Sequence, residues 1–216
     1  MNRRTIVLGT VALAAASFAT AAAYYPRAGG QDAAPEENVL TRAHSPVIGP
    51  ADASVTIVEF FDPSCEACRA FYPIVKQIMG EFPNHTKLMI RYAPLHEGSD
   101  EVVRILEAAR LQDLYIPVLE KLLHEQPKWA IHGAPDLEKA WGFAATAGLD
   151  VERARDPNIQ AKITLNLDRD VADMKEIGLE RTPTFFVNGK PLPSFGPQQL
   201  YELVAAEVKA ASTPTQ

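Results

Sequence analysis

The sequence predicts an α/β fold: a mixed β-sheet flanked by helices, with a large helical insertion ahead of its last strands. Three observations carry this. Two β-branched and aromatic runs, Ser54 to Phe61 and Thr86 to Tyr92, enclose a helix-patterned segment and so form a β-α-β unit. Between about Ser99 and Glu180 almost every segment has the apolar spacing of an amphipathic helix. Then Thr184-Phe185-Phe186-Val187 reads as a short buried strand, and Asn188-Gly189 as a type I′ hairpin turn.

Taken in chain order, the segments divide as follows. Met1-Asn2-Arg3-Arg4 precedes an uncharged, Ala-rich run from Thr5 to Ala23, the layout of a secretory signal peptide with a small-residue cleavage site at Ala21-Ala22-Ala23. The run is also long enough for an N-terminal membrane anchor, with cleavage the preferred reading. The paired arginines loosely match a twin-arginine signal. Residues 24–50 mix Pro, Gly, Gln and Glu and are expected to be a flexible leader. That stretch has neither the length nor the heptads of a dimerisation module, so a monomer is expected.

The folded domain should span residues 51–210, with the helical insertion at about 99–180 and a flexible tail at 211–216. The first strand is apolar nearly throughout, as a strand buried on both faces is, and Glu59 is the residue out of place in it. A carboxyl there is costly to ionise, and its pKa should rise toward neutrality. Asp62-Pro63-Ser64 breaks the strand and should supply the cap for a helix from Cys65 to about Met79. The insertion places Val102, Val103, Leu106 and Leu111 on one helix and Ile116, Leu119, Leu122 and Leu123 on the next. Further helical segments surround Trp141, Ile163 and Val171 to Ile177. Pro193 to Phe195 is the expected antiparallel return after the hairpin, and Gln198 to about Lys209 the last helix.

Composition narrows the chemistry. The chain has 216 residues and a formal charge of −6, with no cluster of Lys and Arg to neutralise phosphates, which argues against nucleic acid as a partner. Its two cysteines, Cys65 and Cys68, exclude a disulfide-stapled mini-fold and any four-Cys metal centre. Two residues one helical turn apart lie about 5–6 Å from each other, within disulfide reach. So small a loop stabilises the fold by only about 2 kcal/mol or less, so a redox role explains the pair better than a structural one. At the helix start Cys65 would face unpaired backbone N–H groups and the positive end of the helix dipole, which favour its thiolate; Cys68 should be less exposed. His85, His96, His124 and His132 have no paired ligand spacing with the cysteines, so no metal ligands are expected, and all five histidines read as surface or capping residues. Trp129, Trp141 and Phe71 read as core.

Two motifs and the insertion between them resemble the thioredoxin superfamily, and within it the DsbA-like periplasmic thiol-disulfide oxidoreductases. The motifs are Val58-Glu59-Phe60-Phe61-Asp62-Pro63-Ser64-Cys65-Glu66-Ala67-Cys68 and Thr182-Pro183-Thr184-Phe185-Phe186-Val187-Asn188-Gly189, within a span of roughly Val55 to Lys209. The resemblance implies a thioredoxin fold with Cys65 as nucleophile, Cys68 as resolving thiol, Glu59 as proton acceptor for Cys68 and Pro183 as a cis-proline beside the sulfurs. Pro73 matches the family's helix-kinking proline. Apart from the family, a cis Thr182-Pro183 bond costs only about 0.5–1 kcal/mol, and it leaves the Arg181 and Thr182 backbone to pair with an extended substrate.

The dipeptide between the cysteines is Glu66-Ala67 where strongly oxidising members carry Pro-His. A Glu66 carboxylate about 6 Å from the thiolate would repel it by roughly 2–3 kcal/mol, so Cys65 should be less acidic than in the strongest oxidants. The reading is a periplasmic, exported enzyme that exchanges, and more specifically oxidises, cysteines of other exported proteins. It would need no dissociable cofactor and would be reoxidised by a DsbB-like membrane partner. Disulfide reduction or isomerisation, and a copper-tolerance role with the same pair as a Cu(I) site, are the alternatives.

Overall fold

A computed structural model describes residues 38–213. The expected signal or anchor at 1–23, the leader up to residue 37 and the end of the tail lie outside the described residues. Five strands form one sheet: β1 (Val47–Ile48), β2 (Val55–Phe61), β3 (Thr86–Tyr92), β4 (Thr184–Val187) and β5 (Lys190–Pro191), in the order β1-β3-β2-β4-β5. β2 and β3 pair in parallel across seven residues, from Val55↔Thr86 to Phe61↔Tyr92, and the other neighbours pair antiparallel. The sheet is mixed, as expected. Seven helices are present among the described residues: α1 (Glu66–Glu81), α2 (Ser99–Arg110), α3 (Tyr115–Trp129), α4 (Leu137–Thr146), α5 (Val151–Ala154), α6 (Pro157–Glu176) and α7 (Pro197–Ala211). None of them is long and apolar enough to cross a membrane.

Strand periodicity sorts β2 onto two packing layers. Val55, Ile57 and Phe61 join the larger core beneath α1 and α7, while Val58 and Phe60 pack with Met89 and Met174 on the opposite face. Glu59 shares the register of Ile57 and Phe61, so it is carried on the α1 face, between Ile90 and Phe185 on the neighbouring strands. The insertion forms the second part of the larger core. Val102, Val103, Leu106, Leu119, Leu122 and Trp129 are all essentially inaccessible, and Trp141 and Phe71 are buried as the core reading required. Aspartates start its later helices: Asp136, Asp150 and Asp156 each accept backbone N–H bonds from the first turn of α4, α5 and α6.

Several expectations are corrected. Leu111 is half exposed, because α2 ends at Arg110 and Leu111 is its C-cap. The return strand is Lys190–Pro191 and not Pro193 to Phe195. A two-residue turn with positive φ at Asn188 (48°) and Gly189 (78°) puts Lys190 directly opposite Val187. No side chain caps α1; Cys65 itself is the N-cap, while Asp62 accepts from the Ser64 N–H and so closes the preceding turn.

The leader reading fails for residues 38–50. β1 pairs with β3, and the preceding segment is held by buried charge. Arg91 on β3 is fully buried; it bonds Asp170 and Asp173 of α6 at 2.6–3.0 Å, and also the Val39 carbonyl. Arg42 completes the cluster with a bidentate pair to Asp173 at 2.7 and 2.8 Å, and His44 lies 2.8 Å from Asp170. Composition identified this stretch as polar but not the partners of Arg42 and His44, which lie more than 120 residues ahead.

Candidate active site

The start of α1 meets the turn into β4. Cys65 is 6% exposed and Cys68, one turn further, has no exposure; both thiols are free. Cys65 is therefore the more accessible sulfur but far from an open one. Its Sγ donates to the Thr182 carbonyl at 3.3 Å, and the Thr182-Pro183 bond that follows is cis. Helix start and cis-proline turn thus lie side by side. Thr182 lies beyond the last β2–β4 pair, Phe60↔Thr184, so its backbone is outside the ladder. Arg181 is exposed, but its carbonyl is taken by the Thr184 hydroxyl at 2.8 Å.

The two thiols are electrostatically unlike. The Cys65 thiol is lowered from 9 to about 5, first by the hydrogen bond from Cys68, against some burial, then by the Thr182 side chain and the backbone N–H groups of Cys68 and Ala67. Burial first, and then the bond to Cys65 and the charge of Glu59, push Cys68 far above the ordinary thiol range. A sulfur that ionises readily at the helix start and one that holds its proton behind it is the division of labour that dithiol exchange requires. Glu59 is 2% exposed, and its Oε1 has no hydrogen-bond partner. Burial, and secondarily the Cys65 charge, raise its pKa from 4.5 to about 8, so near neutrality this carboxyl is poised to give or take a proton.

Glu66 departs from its expected role. Its carboxylate lies 2.8 Å from His132 Nε2, is half exposed, and is held below its ordinary pKa by its own backbone N–H and by His132. The Cys65 thiol is nonetheless held well below the ordinary thiol range. Hydrogen bonds to the sulfur and its burial set that shift, and Glu66 is not among its causes. Ala67 contributes a backbone N–H.

The sequence reading missed the supports of this site. Asp62, fully buried, accepts five bonds: from the Ser64, Leu95 and His96 backbone N–H groups, from Ser99 Oγ and from His96 Nδ1. It thereby fixes the loop after β3 against the loop before Cys65. Gln126 of α3 donates to the carbonyls of Pro63 and Cys65 at 2.8 and 3.1 Å and accepts from Arg69 Nε. The histidine reading is also corrected: His44 and His96 are tied to buried aspartates, whereas His85 and His124 are exposed. A groove of about 240 Å³ runs beside the cis-proline, lined by Arg181, Pro183, Phe185, Leu192 and Phe195 among others, with Phe195 stacked 4.6 Å from Phe71.

A helix-start dithiol opposed to a cis-proline on this sheet order, with a helical insertion before β4, defines a member of the thioredoxin superfamily. A family model described as thioredoxin matches residues 41–206, and the chain belongs to that family. The solved structure of a thioredoxin-like oxidoreductase from Silicibacter pomeroyi DSS-3 is 27% identical and superposes with a TM-score of 0.68, covering 83% of this chain and all of that one. Oxidised BdbD from Bacillus subtilis also superposes at 0.68, covering 77% of this chain and 94% of its own; at 24% identity the likeness is one of fold. Among curated proteins, a Na(+)/H(+) antiporter NhaA from Herminiimonas arsenicoxydans is 31% identical over 144 residues, which is 67% of this chain and 22% of that protein. The chain thus spans about a fifth of the length of this curated relative.

Proposed function

We propose that the protein is a thiol-disulfide oxidoreductase that oxidises cysteine pairs of exported proteins, with Cys65 as nucleophile and Cys68 as resolving thiol. One observation carries the reading: Cys65 at the start of α1 meets the Thr182 carbonyl ahead of the cis-proline, with the fully buried Cys68 behind it, surroundings that lower the first thiol's pKa and raise the second's. In the oxidised form, a substrate thiolate attacks Cys65 Sγ, the Cys65–Cys68 bond breaks, and Cys68 leaves as a thiolate that takes the proton of the neutral Glu59. A second substrate thiolate attacks the substrate sulfur of the mixed disulfide and expels Cys65 as a stabilised thiolate. Two electrons pass from substrate to protein, and the substrate gains the disulfide.

The Thr182 backbone and the groove of Pro183, Phe185 and Phe195 support binding of an extended peptide. A stabilised Cys65 thiolate favours the reduced protein and hence the oxidising direction, with reoxidation by a DsbB-like membrane partner. We place the enzyme in the periplasm, as a monomer that needs no dissociable cofactor. The test is oxidation of a dithiol peptide by the disulfide form. Wild type should produce peptide disulfide stoichiometrically, and Cys68→Ala, which has no disulfide of its own, should form a mixed disulfide on Cys65 when it is given the peptide in its disulfide form. Absence of both products overturns the reading.

A further inference from the structure

Glu66, His96 and His132 reach one place from the first turn of α1, the loop after β3 and the loop after α3. One ligand atom from each lies within 4.8 Å of the others. His96 is anchored rather than free: Asp62 accepts from its Nδ1 at 2.7 Å and from its backbone N–H at 3.0 Å, which leaves Nε2 as the donor atom toward a cation. A buried carboxylate behind an imidazole is the arrangement that fixes the tautomer and raises the basicity of metal-bound histidine. A second observation is independent of these three side chains. Ser64, 5% exposed, lines the same small cleft as His96 and His132, and its buried Oγ has no hydrogen-bond partner.

We propose that Glu66, His96 and His132 bind one divalent cation of the zinc class, with a fourth position open toward Ser64 Oγ. Two imidazoles and one carboxylate select a borderline cation over Ca²⁺ or Mg²⁺, which take oxygen ligands. Bonds of about 2.0–2.2 Å in tetrahedral geometry place ligand atoms about 3.3–3.6 Å apart, so within the cluster Glu66 and His132, now 2.8 Å apart, must open slightly while any separation near the 4.8 Å limit closes by about 1 Å. Its exposed members can move: the Glu66 and His132 side chains are 52% and 68% exposed, while His96 stays on Asp62. Without a cation, Glu66 and His132 hydrogen-bond each other across 2.8 Å. No sulfur is among the ligands, so the proposed site does not require a free thiol and can be tested in the disulfide form.

The experiment is calorimetric titration of Zn²⁺ into the oxidised full chain, whose sulfurs are tied to each other. One Zn²⁺ per chain is expected. Glu66→Gln and His132→Ala, both surface changes that spare the fold, should each weaken binding at least about tenfold, and Asp62→Asn by about 10–100-fold. Co²⁺ in the same protein should show the visible bands of tetrahedral coordination without sulfur charge transfer. No saturable binding, or binding that Glu66→Gln and His132→Ala leave unchanged, overturns the proposal. So does binding that appears only after reduction and is lost in Cys65→Ser/Cys68→Ser, since the dithiol is then the ligand.

Discussion

Replacing Glu59 by Gln removes a carboxyl that titrates inside the sheet, and the pH dependence of stability measures its removal. Folded, Glu59 has its pKa raised from 4.5 to about 8, by burial first and then by the Cys65 charge. Between those values the folded protein keeps a proton that the unfolded chain has released, so stability falls as pH rises through that window and is flat on either side of it. The interval of about 3.5 pH units, at about 1.36 kcal/mol each, bounds the loss near 5 kcal/mol. In the reduced protein Cys65 opposes it. With a pKa lowered from 9 to about 5, the folded thiol has lost a proton that the unfolded chain keeps, so stability rises from about pH 5 to about 9. The disulfide form lacks that thiol and isolates Glu59, at somewhat below the bound because the Cys65 charge is absent. Urea unfolding of the oxidised protein from about pH 4.5 to about 8 should therefore show wild type losing a few kcal/mol relative to Glu59→Gln. His96, raised above its ordinary value because its bond to and the charge of Asp62 outweigh burial, adds the same slope to both proteins. Parallel profiles for the two proteins would refute a buried, protonated Glu59.

Four other outcomes follow from the same geometry. Iodoacetamide at about pH 6 should alkylate Cys65 and spare Cys68, as peptide mapping will read; equal labelling would contradict the division between them. Glu59→Gln should slow the stopped-flow step in which Cys68 attacks a mixed disulfide on Cys65, while the thiolate absorbance titration of Cys65 stays close to wild type. Glu66→Gln should likewise leave that titration in place, because His132 already holds the carboxylate; a clear fall in the Cys65 pKa would mean that the two charges do meet. Gln126→Ala strands the Pro63 and Cys65 carbonyls and should cost about 1–3 kcal/mol in urea unfolding, against an unchanged midpoint if Gln126 is incidental.

What was legible in the sequence was whatever is written locally. β2 and β3 announced themselves because a strand buried on both faces must be apolar along its length, and Glu59 stood out against that background. The positive-φ turn at Asn188-Gly189 was legible for the same reason, since few dipeptides adopt it. The supports of the site were hidden because each joins residues distant in the chain. Asp62 meets His96 across 34 residues and Gln126 meets Cys65 across 61, and nothing beside any of these positions marks them. Glu66 misled in another way: its position beside Cys65 was readable, but the imidazole that turns it aside comes from 66 residues further on.

The buried Arg91 cluster changes where the domain has to be cut. A boundary drawn at residue 50, where the polar stretch ends, removes Arg42, His44 and β1 and leaves Asp170 and Asp173 facing Arg91 alone in an interior almost closed to water. Two carboxylates against one guanidinium strand a negative charge there, a defect of the kind that costs about 3–5 kcal/mol when a buried pair loses one partner. A fragment trimmed by composition would thus carry an intact dithiol on a scaffold stripped of its counterions. Expression and grafting of this domain should start no later than Asn38.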